Sequence, residues 1–389
     1  MTTTINNEHK KLNVPNLRFP EFQGEWEKSK LSDLCTFFSG GTPSSSNKDF
    51  YGGDIAFIRS GELHADSTEL FITQDGYDNS SAKMVEIGDL LLAMYGATSG
   101  DISISKIKGA INQAILCIRT NQNKKFIESV WNKHVSKILR KYLQGGQGNL
   151  SADIVKGISF SFPTLEEQER IANLISLLDE RIATQNKIIE DLKKLKCAII
   201  DKVYSEIQGK EYSYGQLFDV VNERNKQMEY SNILSASQEK GMVNRDDLNL
   251  DIQFERSNIN IYKIVKKGDY VIHLRSFQGG FAFSDKLGVC SPAYTILRPD
   301  SLLEYGYLSN YFTSQRFIKS LVLVTYGIRD GRSINVDEWL RMKITIPPKE
   351  HQQYIVKVIG TFERKIEDEE AYAAQLSIQK QYLLRQMFV

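Results

Sequence analysis

The sequence predicts an α+β protein with a pseudo-two-fold internal repeat, in which two mixed α/β domains are joined by two long antiparallel coiled-coil helices. Three observations predict this fold. A stretch beginning at Pro163 recurs at Pro347, a shift of 347 − 163 = 184 residues that continues without a gap to the C-terminus. Both copies space apolar residues at alternating steps of four and three, the period of a coiled-coil seam. The segments that precede the two copies also resemble each other.

The repeat divides the chain into five parts. We expect a flexible N-terminal tail over residues 1–17, a globular domain over 18–162, a long helix over 163–205, a second globular domain over 206–346 and a second long helix over 347–389. We call the two domains the first head and the second head.

The composition is that of an ordinary globular protein, because 41% of its 389 residues are hydrophobic and 25% are charged. A formal net charge of +1 argues against a free-standing nucleic-acid binder, but basic residues clustered on one face would still bind DNA. No apolar run approaches the roughly 18 residues of a membrane span. The polar start is unlike a signal peptide, so we expect a cytoplasmic protein without membrane contact. Cys35, Cys117, Cys197 and Cys290 form no CxxC pair, so no metal site is predicted.

Short apolar runs between Gly- and Ser-rich turns predict strands in the first head, at Ile55–Ile58, Asp89–Met94 and Ala114–Ile118. Framework positions recur in the second head, where residues 267–271 resemble 87–91, 288–298 resemble 109–119, and 334–337 resemble 150–153. The loops between these positions diverge. A duplicated frame with different loops fits two versions of one reading head, each tuned to its own target.

Each predicted helix carries one seam of regularly spaced residues. The apolar members of the two seams are Ile171, Ile175, Leu178, Ile182, Ile189 and Leu192, and then Ile355, Ile359, Phe362, Ile366, Leu376 and Leu383. Polar interruptions also match, since Gln185 corresponds to Glu369 and Lys196 to Lys380. Two amphipathic helices on separate domains are the alternative, but matched length and register favour pairing of the two helices with each other.

The charges on the helices predict that they pair antiparallel. The second helix carries acidic residues at its middle, Glu363 and 367–370, and the first carries Lys187, Lys193, Lys194 and Lys196 just past its own middle. A parallel pairing would place the acidic run beside further carboxylates, whereas an antiparallel pairing places it against the lysines. About 40 helical residues would span about 60 Å, enough for one to two turns of DNA.

Five short motifs carry a family resemblance. They are PTLEEQERIA at Pro163–Ala172 with its partial copy, the lead-in Leu17–Pro20 with Trp26, the loop Ser39–Pro43, the turn Tyr95–Thr98, and Asn112–Gln113. Together with the order domain, helix, domain, helix, they resemble the DNA specificity subunit of type I restriction–modification systems over nearly the whole chain. The second helix start departs from the first at Pro348, His351 and Tyr354.

The resemblance implies that the two heads are target-recognition domains and that the two long helices are conserved spacer helices. The subunit would read an asymmetric, two-part DNA sequence, with one half read by each head and the gap set by the helices. The implied partners are double-stranded DNA, two modification subunits that methylate adenine N6, and two restriction subunits that are ATP-dependent translocases and nucleases. S-adenosylmethionine, ATP and Mg would be used by those subunits, and this chain would carry no cofactor and no catalytic residue. Consistent with that, it contains no Gly-x4-Gly-Lys-Ser/Thr phosphate loop.

Loop residues that can bind base edges or phosphates are the candidates for DNA contact. In the first head they are Ser39, Gly40, Gly41, Thr42, Ser44, Lys48, Arg59, Ser60, Tyr95, Thr98, Gln113, Gln144, Gln147 and Asn149. In the second head they are His273, Arg275, Ser276, Gln278, Arg329, Arg332 and Ser333. The alternative is that the glycines only turn the chain and that the arginines only solvate its surface.

Two other functions stay open from the sequence. A non-enzymatic scaffold would bind proteins with its two heads, and its binding would depend on salt much less than binding to phosphates does. An enzyme would need the weak likeness of Ser291–Tyr294 to a methyltransferase motif, or of Pro299–Glu304 to a nuclease motif, to be functional. Both motifs lack residues that such sites require.

Overall fold

The computed structural model describes residues 12–142, 149–237, 240–247, 256–273, 280–326 and 333–389. The chain forms two compact units. The first unit comprises the residues up to Gln185 together with Tyr372–Val389, and the second comprises Asn186–Ala371. Each unit therefore contains one head, part of the first long helix and part of the second.

The first half of the chain contains the following elements: β1 Glu27–Lys30, α1 Leu31–Leu34, β2 Cys35–Ser39, β3 Tyr51–Ile58, β4 Phe71–Ile72, α2 Gln74–Asp78, β5 Lys83–Val85, β6 Leu90–Ala93, β7 Ile102–Ile104, β8 Gly109–Ile111, β9 Ile115–Thr120, α3 Lys124–Tyr142, α4 Ala152–Gly157, β10 Ser159–Phe162 and α5 Leu165–Glu206. The predicted strands at Ile55–Ile58, Asp89–Met94 and Ala114–Ile118 are confirmed as β3, β6 and β9.

The second half repeats this plan: β11 Lys210–Ser213, α6 Tyr214–Leu217, β12 Phe218–Val221, β13 Leu234–Ser237, β14 Gly241–Asn244, β15 Lys263–Val265, β16 Tyr270–Ile272, β17 Phe281–Phe283, β18 Gly288–Cys290, β19 Thr295–Pro299, α7 Gln315–Ser320, β20 Thr325–Tyr326, β21 Ser333–Ile334, α8 Val336–Arg341, β22 Lys343–Ile346 and α9 Lys349–Met387. The order β12-β19-β16-β17 matches β2-β9-β6-β7, and in both sheets all neighbouring strands run antiparallel.

The recurring frame extends to individual side chains. The turn before β6 and the turn before β16 each contain a glycine with positive φ, 88° at Gly88 and 94° at Gly268. The next residue is a buried aspartate in both heads, and each aspartate binds an arginine of the neighbouring strand. Asp89 lies 2.7 Å from Arg119, and Asp269 lies 3.0 Å from Arg298. This repeated ion pair fixes the same turn in both heads.

The two long helices are confirmed as α5 and α9, each of which begins two residues later than predicted. Prolines end the preceding strand segments and leave their missing N–H groups outside the helical hydrogen bonds. All seam positions, including the polar ones, are buried or half-buried. A seam that repeats about every 3.5 residues keeps one face of a helix covered.

Within each unit the helices run antiparallel, as predicted. In the second unit Lys193 binds Glu370 at 2.6 Å and Lys196 binds Glu363 at 2.7 Å. A later residue of α5 therefore meets an earlier residue of α9, which is the antiparallel arrangement. The first unit shows the same direction, since Asp179 binds Lys380 and Arg181 binds the hydroxyl of Tyr372. The other two of the four expected lysines behave differently. Lys194 binds Glu190 one turn away on its own helix, and among the described residues Lys187 forms no ion pair with the acidic run.

The prediction of a flexible tail over residues 1–17 is wrong for its last part. Residues 1–11 lie outside the described residues, but Asn13 exchanges hydrogen bonds with Trp26. Leu17 N donates to Gln386 O at 2.9 Å. The sequence shows no pattern here because the partners of this extended segment are distant in the chain.

The hydrophobic core of the first unit is completed by the end of the chain. Met387 and Phe388 are 3% and 2% exposed, in a cluster with Trp26, Phe126 and Phe162. The ring of Phe388 lies 5.1 Å from that of Phe126 and 6.4 Å from that of Trp26. The first unit is therefore discontinuous in sequence.

Candidate nucleic-acid interface

One edge of the first head collects loops that are far apart in the sequence. Because neighbouring strands of β2-β9-β6-β7 are antiparallel, the ends of β2 and β6 lie beside the starts of β9 and β7. The loops meet through hydrogen bonds: Thr42 Oγ1 donates to Gln113 Oε1 at 2.5 Å, Met94 N donates to Ala114 O at 2.8 Å, and Leu150 N donates to Met94 O at 3.0 Å. We call this the first-head edge. Its candidate residues are Ser39, Gly40, Gly41, Thr42, Tyr95, Thr98, Gln113 and Asn149.

The two glycines of this edge are required by packing. A Cβ atom on Gly40 would lie 1.7 Å from Ile111 O, and a Cβ on Gly41 would lie 2.6 Å from the Cβ of Ser81. The loop is therefore pressed against the second sheet of the head. Thr42 and Ser44 stay exposed on its outer side, together with Ser39 at the end of β2.

Arg59 and Ser60 lie near the same edge but follow a strand of the second sheet, β4-β3-β8-β5. They follow β3, which runs parallel to β8 over its last two residues, and β8 ends just before Asn112. The guanidinium of Arg59 is held by Glu62 at 2.8 and 3.2 Å, and this hydrogen bond and charge lower the pKa of Glu62. Lys48 begins a short 3-10 turn, Lys48–Phe50, that precedes β3, so it lies before the start of this eight-residue strand whereas Arg59 follows its end.

In the second head the corresponding edge is formed by the end of β12, the end of β16 and the start of β19. We call this the second-head edge. His273 follows β16, and its ring lies 6.1 Å from that of Tyr294. Burial lowers the pKa of His273, so its imidazole is neutral near pH 7. Ser333 begins β21, which pairs with β20 in a separate two-stranded sheet and is not part of the sheet that forms this edge.

Seven of the candidates lie outside the described residues: Gln144, Gln147, Arg275, Ser276, Gln278, Arg329 and Arg332. Gln144 and Gln147 follow Tyr142 in the sequence, and Arg329 and Arg332 follow Tyr326, which lies 326 − 142 = 184 residues further on. Both tyrosines are exposed.

Sequence reasoning missed the loop that follows β12. Arg224 and Lys226 are exposed in it, and its backbone joins the second-head edge through a bridge between Arg224 and Lys263. Alignment of Leu31–Cys35 with Tyr214–Phe218 would have identified this loop as the counterpart of the one that follows β2.

The two enzyme-like motifs have structural roles. Ser291 Oγ accepts from Ala293 N at 3.3 Å, and the Asp300 carboxylate accepts from Leu302 N at 2.9 Å, so both residues close turns. Within the described ranges no group of His, Cys, Asp and Glu is arranged to hold a metal ion. No helix in the part of the chain that the structure describes is long and apolar enough to cross a membrane.

Two copies of one sheet frame with different loops at their edges, each beside a pair of antiparallel helices, define a two-headed recognition protein. The sequence matches the family described as type I restriction modification DNA specificity domain twice, over residues 23–194 and 209–377. The chain therefore belongs to that family.

Similar proteins are found over most of the length. A Methanocaldococcus jannaschii protein named provisionally as the type I restriction enzyme MjaX specificity subunit is 24% identical over 92% of both chains. The Escherichia coli EcoR124I/EcoR124II specificity subunit is 26% identical over 55% of this chain and 53% of its own. The crystal structure of a type I S subunit from M. genitalium has a TM-score of 0.57 at 14% identity, covering 97% of this chain and 99% of that one.

A further solved structure comes from work on complex assembly and conformational transition of the type I R-M system. It has a TM-score of 0.59 at 16% identity and covers 92% of this chain and 96% of that one. At these identities the two structures bear on the fold, which they share with this chain.

Proposed function

We propose that this chain is the DNA-reading subunit of a type I restriction–modification complex and that it recognises a bipartite, asymmetric target. The first head reads one half of the target and the second head reads the other. The observation that carries this proposal is the repeated frame with different edges: Asp89–Arg119 and Asp269–Arg298 hold matching turns, whereas the loops after β2 and β12 differ in sequence and in how they are held.

The paired helices set the number of unread base pairs between the two half-sites. Support comes from the matched ion pairs between the helices. Asp179 with Lys380 and Glu363 with Lys196 are the same pair under the 184-residue shift, because 179 + 184 = 363 and 196 + 184 = 380. Ion pairs of this kind fix both register and direction in a coiled coil.

The outer faces of the helices offer a surface for partner subunits. Leu177 on α5 and Ile378 on α9 are 64% and 68% exposed in the first unit. In the second unit Leu195 and Tyr354 are 49% and 69% exposed. Burial of these apolar side chains against a partner would remove apolar surface from water and favour association. We assign them to two modification subunits, with two restriction subunits joining the assembly.

Catalysis belongs to those partners in this proposal. The modification subunits would bind S-adenosylmethionine and methylate adenine N6, and the restriction subunits would use ATP and Mg to translocate and cleave DNA. The structural roles of Ser291 and Asp300 support a chain without catalytic residues of its own.

The test is to sequence methylated adenines in cells that express the modification subunit with and without this chain. We expect methylation at a two-part sequence with a constant gap, and we expect it to disappear when the chain is absent. Methylation that continues unchanged without the chain, or that follows a single continuous sequence, would overturn the proposal.

The competing function is a protein-binding scaffold, and salt separates it from DNA reading. Contact with six to ten phosphates lowers affinity about 10³- to 10⁵-fold between 50 and 200 mM salt. A complex that captures duplex DNA with that dependence binds DNA through its phosphates, as the proposed function requires and a protein scaffold does not. A complex that shows no affinity for DNA at low salt, yet retains its protein partners, would be a scaffold.

A further inference from the structure

The loop of residues 222–228 in the second head takes the place that residues 39–45 take in the first. Each loop follows the first strand of its four-stranded sheet, and each of those strands follows a four-residue helix. The shift between them is 218 − 35 = 183 residues, so Arg224 corresponds to Gly41 and Lys226 to Pro43. The two loops therefore occupy the same position on the frame with different chemistry.

A buried asparagine holds the second loop in shape. Asn225 is 1% exposed, and its side chain donates to Tyr230 O at 2.8 Å and accepts from Tyr230 N at 3.2 Å. Its backbone N donates to Tyr262 O at 2.9 Å. The first loop is held instead by glycines pressed against the neighbouring sheet. Both loops are fixed against the frame before any ligand binds.

The backbone of the second loop also has an unusual conformation. Met228 has a φ of 53°, in the left-handed region that non-glycine residues seldom adopt. Such a conformation persists only where the surroundings impose it, and it is concentrated at functional sites. Here Met228 N donates to Asn225 O at 2.9 Å, which closes the turn.

The outward side of this loop is cationic. Glu223 is bound by Arg298 at 2.8 Å and by Lys266 at 3.0 Å, and Glu229 is hydrogen-bonded to the hydroxyl of Tyr230. Arg224 and Lys226 are both exposed, and within the described residues neither forms an ion pair. The loop therefore presents two cations whose charge is not neutralised by its own carboxylates.

A third cation lies behind them. Lys263 pairs with Arg224 through a backbone bridge, and its Nζ donates to Tyr294 O at 2.7 Å. Burial lowers the pKa of Lys263, and the charge of Arg224 acts in the same direction. The positive charge of Arg224 and Lys226 thus adjoins the second-head edge, where Tyr294 and His273 lie.

We propose that Arg224 and Lys226 bind DNA phosphates beside the half-site that the second head reads, a role that rests on the proposed DNA-reading function. What the two equivalent loops share is the ability to bind phosphates, through hydroxyls and backbone amides in the first head and through cationic side chains in the second. The counterparts of Arg224 and Lys226 in the first head, Gly41 and Pro43, carry no group that reads a base. Phosphate contact is therefore the function common to this position in both heads.

The experiment measures binding of the assembled complex to a duplex that contains its methylated sequence, across a range of salt concentrations. Arg224→Ala, Lys226→Ala and the double variant are compared with Lys267→Ala. Lys267 is an exposed lysine of the same head that lies near the opposite end of β16. Arg224→Lys keeps the charge, and thermal unfolding of each variant checks that the fold is intact.

Each phosphate contact makes the logarithm of the DNA-binding constant fall by about 0.9 for every tenfold rise in salt concentration. Relative to 1 M salt, one contact therefore strengthens binding about tenfold at 0.1 M salt, and each single alanine variant is expected to lose about that factor. In the double variant, the slope of the logarithm of the binding constant against the logarithm of the salt concentration should become shallower by about two. Lys267→Ala and Arg224→Lys should keep the wild-type slope. The methylated sequence should stay the same in all variants, since phosphate contacts carry no base identity.

Three results would overturn the assignment. If the double variant keeps the wild-type affinity and the wild-type salt dependence, the loop does not contact DNA, and the proposed function still stands. A relaxed base at one position of the second half-site would make these residues base readers instead. A wild-type complex that fails to bind the duplex would overturn the proposed function and this inference together.

Discussion

Gln168 and Gln352 lie 352 − 168 = 184 residues apart and make matching hydrogen bonds at the starts of the two long helices. The side-chain amide of Gln168 donates to Pro163 O, and that of Gln352 donates to Pro347 O, both at 2.9 Å. The two residues are 0% and 1% exposed. Each amide thus joins the first turn of its helix to the strand segment before it.

The same two amides also hold the adjacent head. The Oε1 atom of Gln168 accepts from Asn123 N at 3.1 Å, and the Oε1 atom of Gln352 accepts from Glu304 N at 2.8 Å. In the first unit, Gln168 therefore links the start of α5 to the segment that follows β9 in the chain. In the second unit, Gln352 links the start of α9 to the segment that follows β19. These joints keep each head in a fixed orientation on its helix.

Replacement of either glutamine by methionine is expected to destabilise the protein. Methionine has a similar length but can neither accept from the buried backbone N–H nor donate to the proline carbonyl. We expect Gln168→Met and Gln352→Met each to lower the free energy of unfolding by about 1–3 kcal/mol, measured by urea denaturation of the full chain. Gln353→Met, at the exposed neighbouring position, should change it by less than about 0.5 kcal/mol. Equal effects at positions 352 and 353 would contradict this role.

Truncation of Phe388 tests whether the end of the chain completes the first unit. Phe388→Ala removes a buried ring from the cluster around Trp26 and Phe126, and we expect a loss of about 3–5 kcal/mol in unfolding free energy. Val389→Ala is the control, because Val389 is 37% exposed. Near-ultraviolet circular dichroism would follow the packing of Trp26. A change below about 1 kcal/mol in Phe388→Ala would show that this cluster contributes little.

Asp179 should make the stability of the first unit depend on pH. Burial alone would raise the pKa of Asp179, but hydrogen bonds from Lys125 and Lys380, with their charges, outweigh it and hold the pKa below its ordinary value. A carboxylate with a lowered folded-state pKa contributes stability above its unfolded pKa of about 4, and that contribution is lost as the pH falls through the folded pKa.

The measurement compares wild type with Asp179→Asn by urea denaturation at about pH 6 and about pH 3. Wild type should be more stable by about 1–3 kcal/mol at the higher pH, and the difference should shrink at the lower pH. Glu180→Gln, an exposed neighbour, should leave the pH dependence unchanged. A difference between wild type and Asp179→Asn that stays constant with pH would refute the linkage.

Lengthening both helices tests whether they measure the gap in the DNA target. Four residues inserted after Gln185, and four after Glu369, would lengthen each helix by about 6 Å and turn it by about 400°, close to a full turn. DNA rises 3.4 Å per base pair, so the gap should grow by one or two base pairs. Two-residue insertions turn each helix by about 200° and should instead destabilise the pairing. A gap unchanged by the four-residue insertions would mean that another part of the complex sets the spacing.

The helices and their direction could be predicted because the information is local and repeated. A seam every 3.5 residues, and lysines placed to meet an acidic run, specify a paired helix without knowledge of the heads. The contacts of Gln168 and Asn225 could not be predicted, since their partners depend on how the sheet is folded. The same holds for Phe388, whose hydrophobic character is visible in the sequence but whose place in the first unit is not.

The candidate loops were predicted unevenly for a similar reason. The sequence predicts Gly40 and Gly41 as DNA contacts, but the close approach of Ile111 and Ser81 explains why glycine stands at both positions. Arg224 and Lys226 were missed because no motif surrounds them. The position of β12 in the sheet shows that they follow the strand equivalent to β2, and in the sequence this equivalence is carried only by the weak likeness of Leu31–Cys35 to Tyr214–Phe218.

The central claim is that the two heads read separate halves of one DNA sequence, and an exchange of heads tests it most directly. Residues 18–162 are replaced by the equivalent segment of another specificity subunit with a known target, and methylated adenines are mapped in cells that also express the modification subunit. The account predicts a methylated sequence with one new half, one original half and an unchanged gap. A sequence in which both halves change, or neither does, would contradict it.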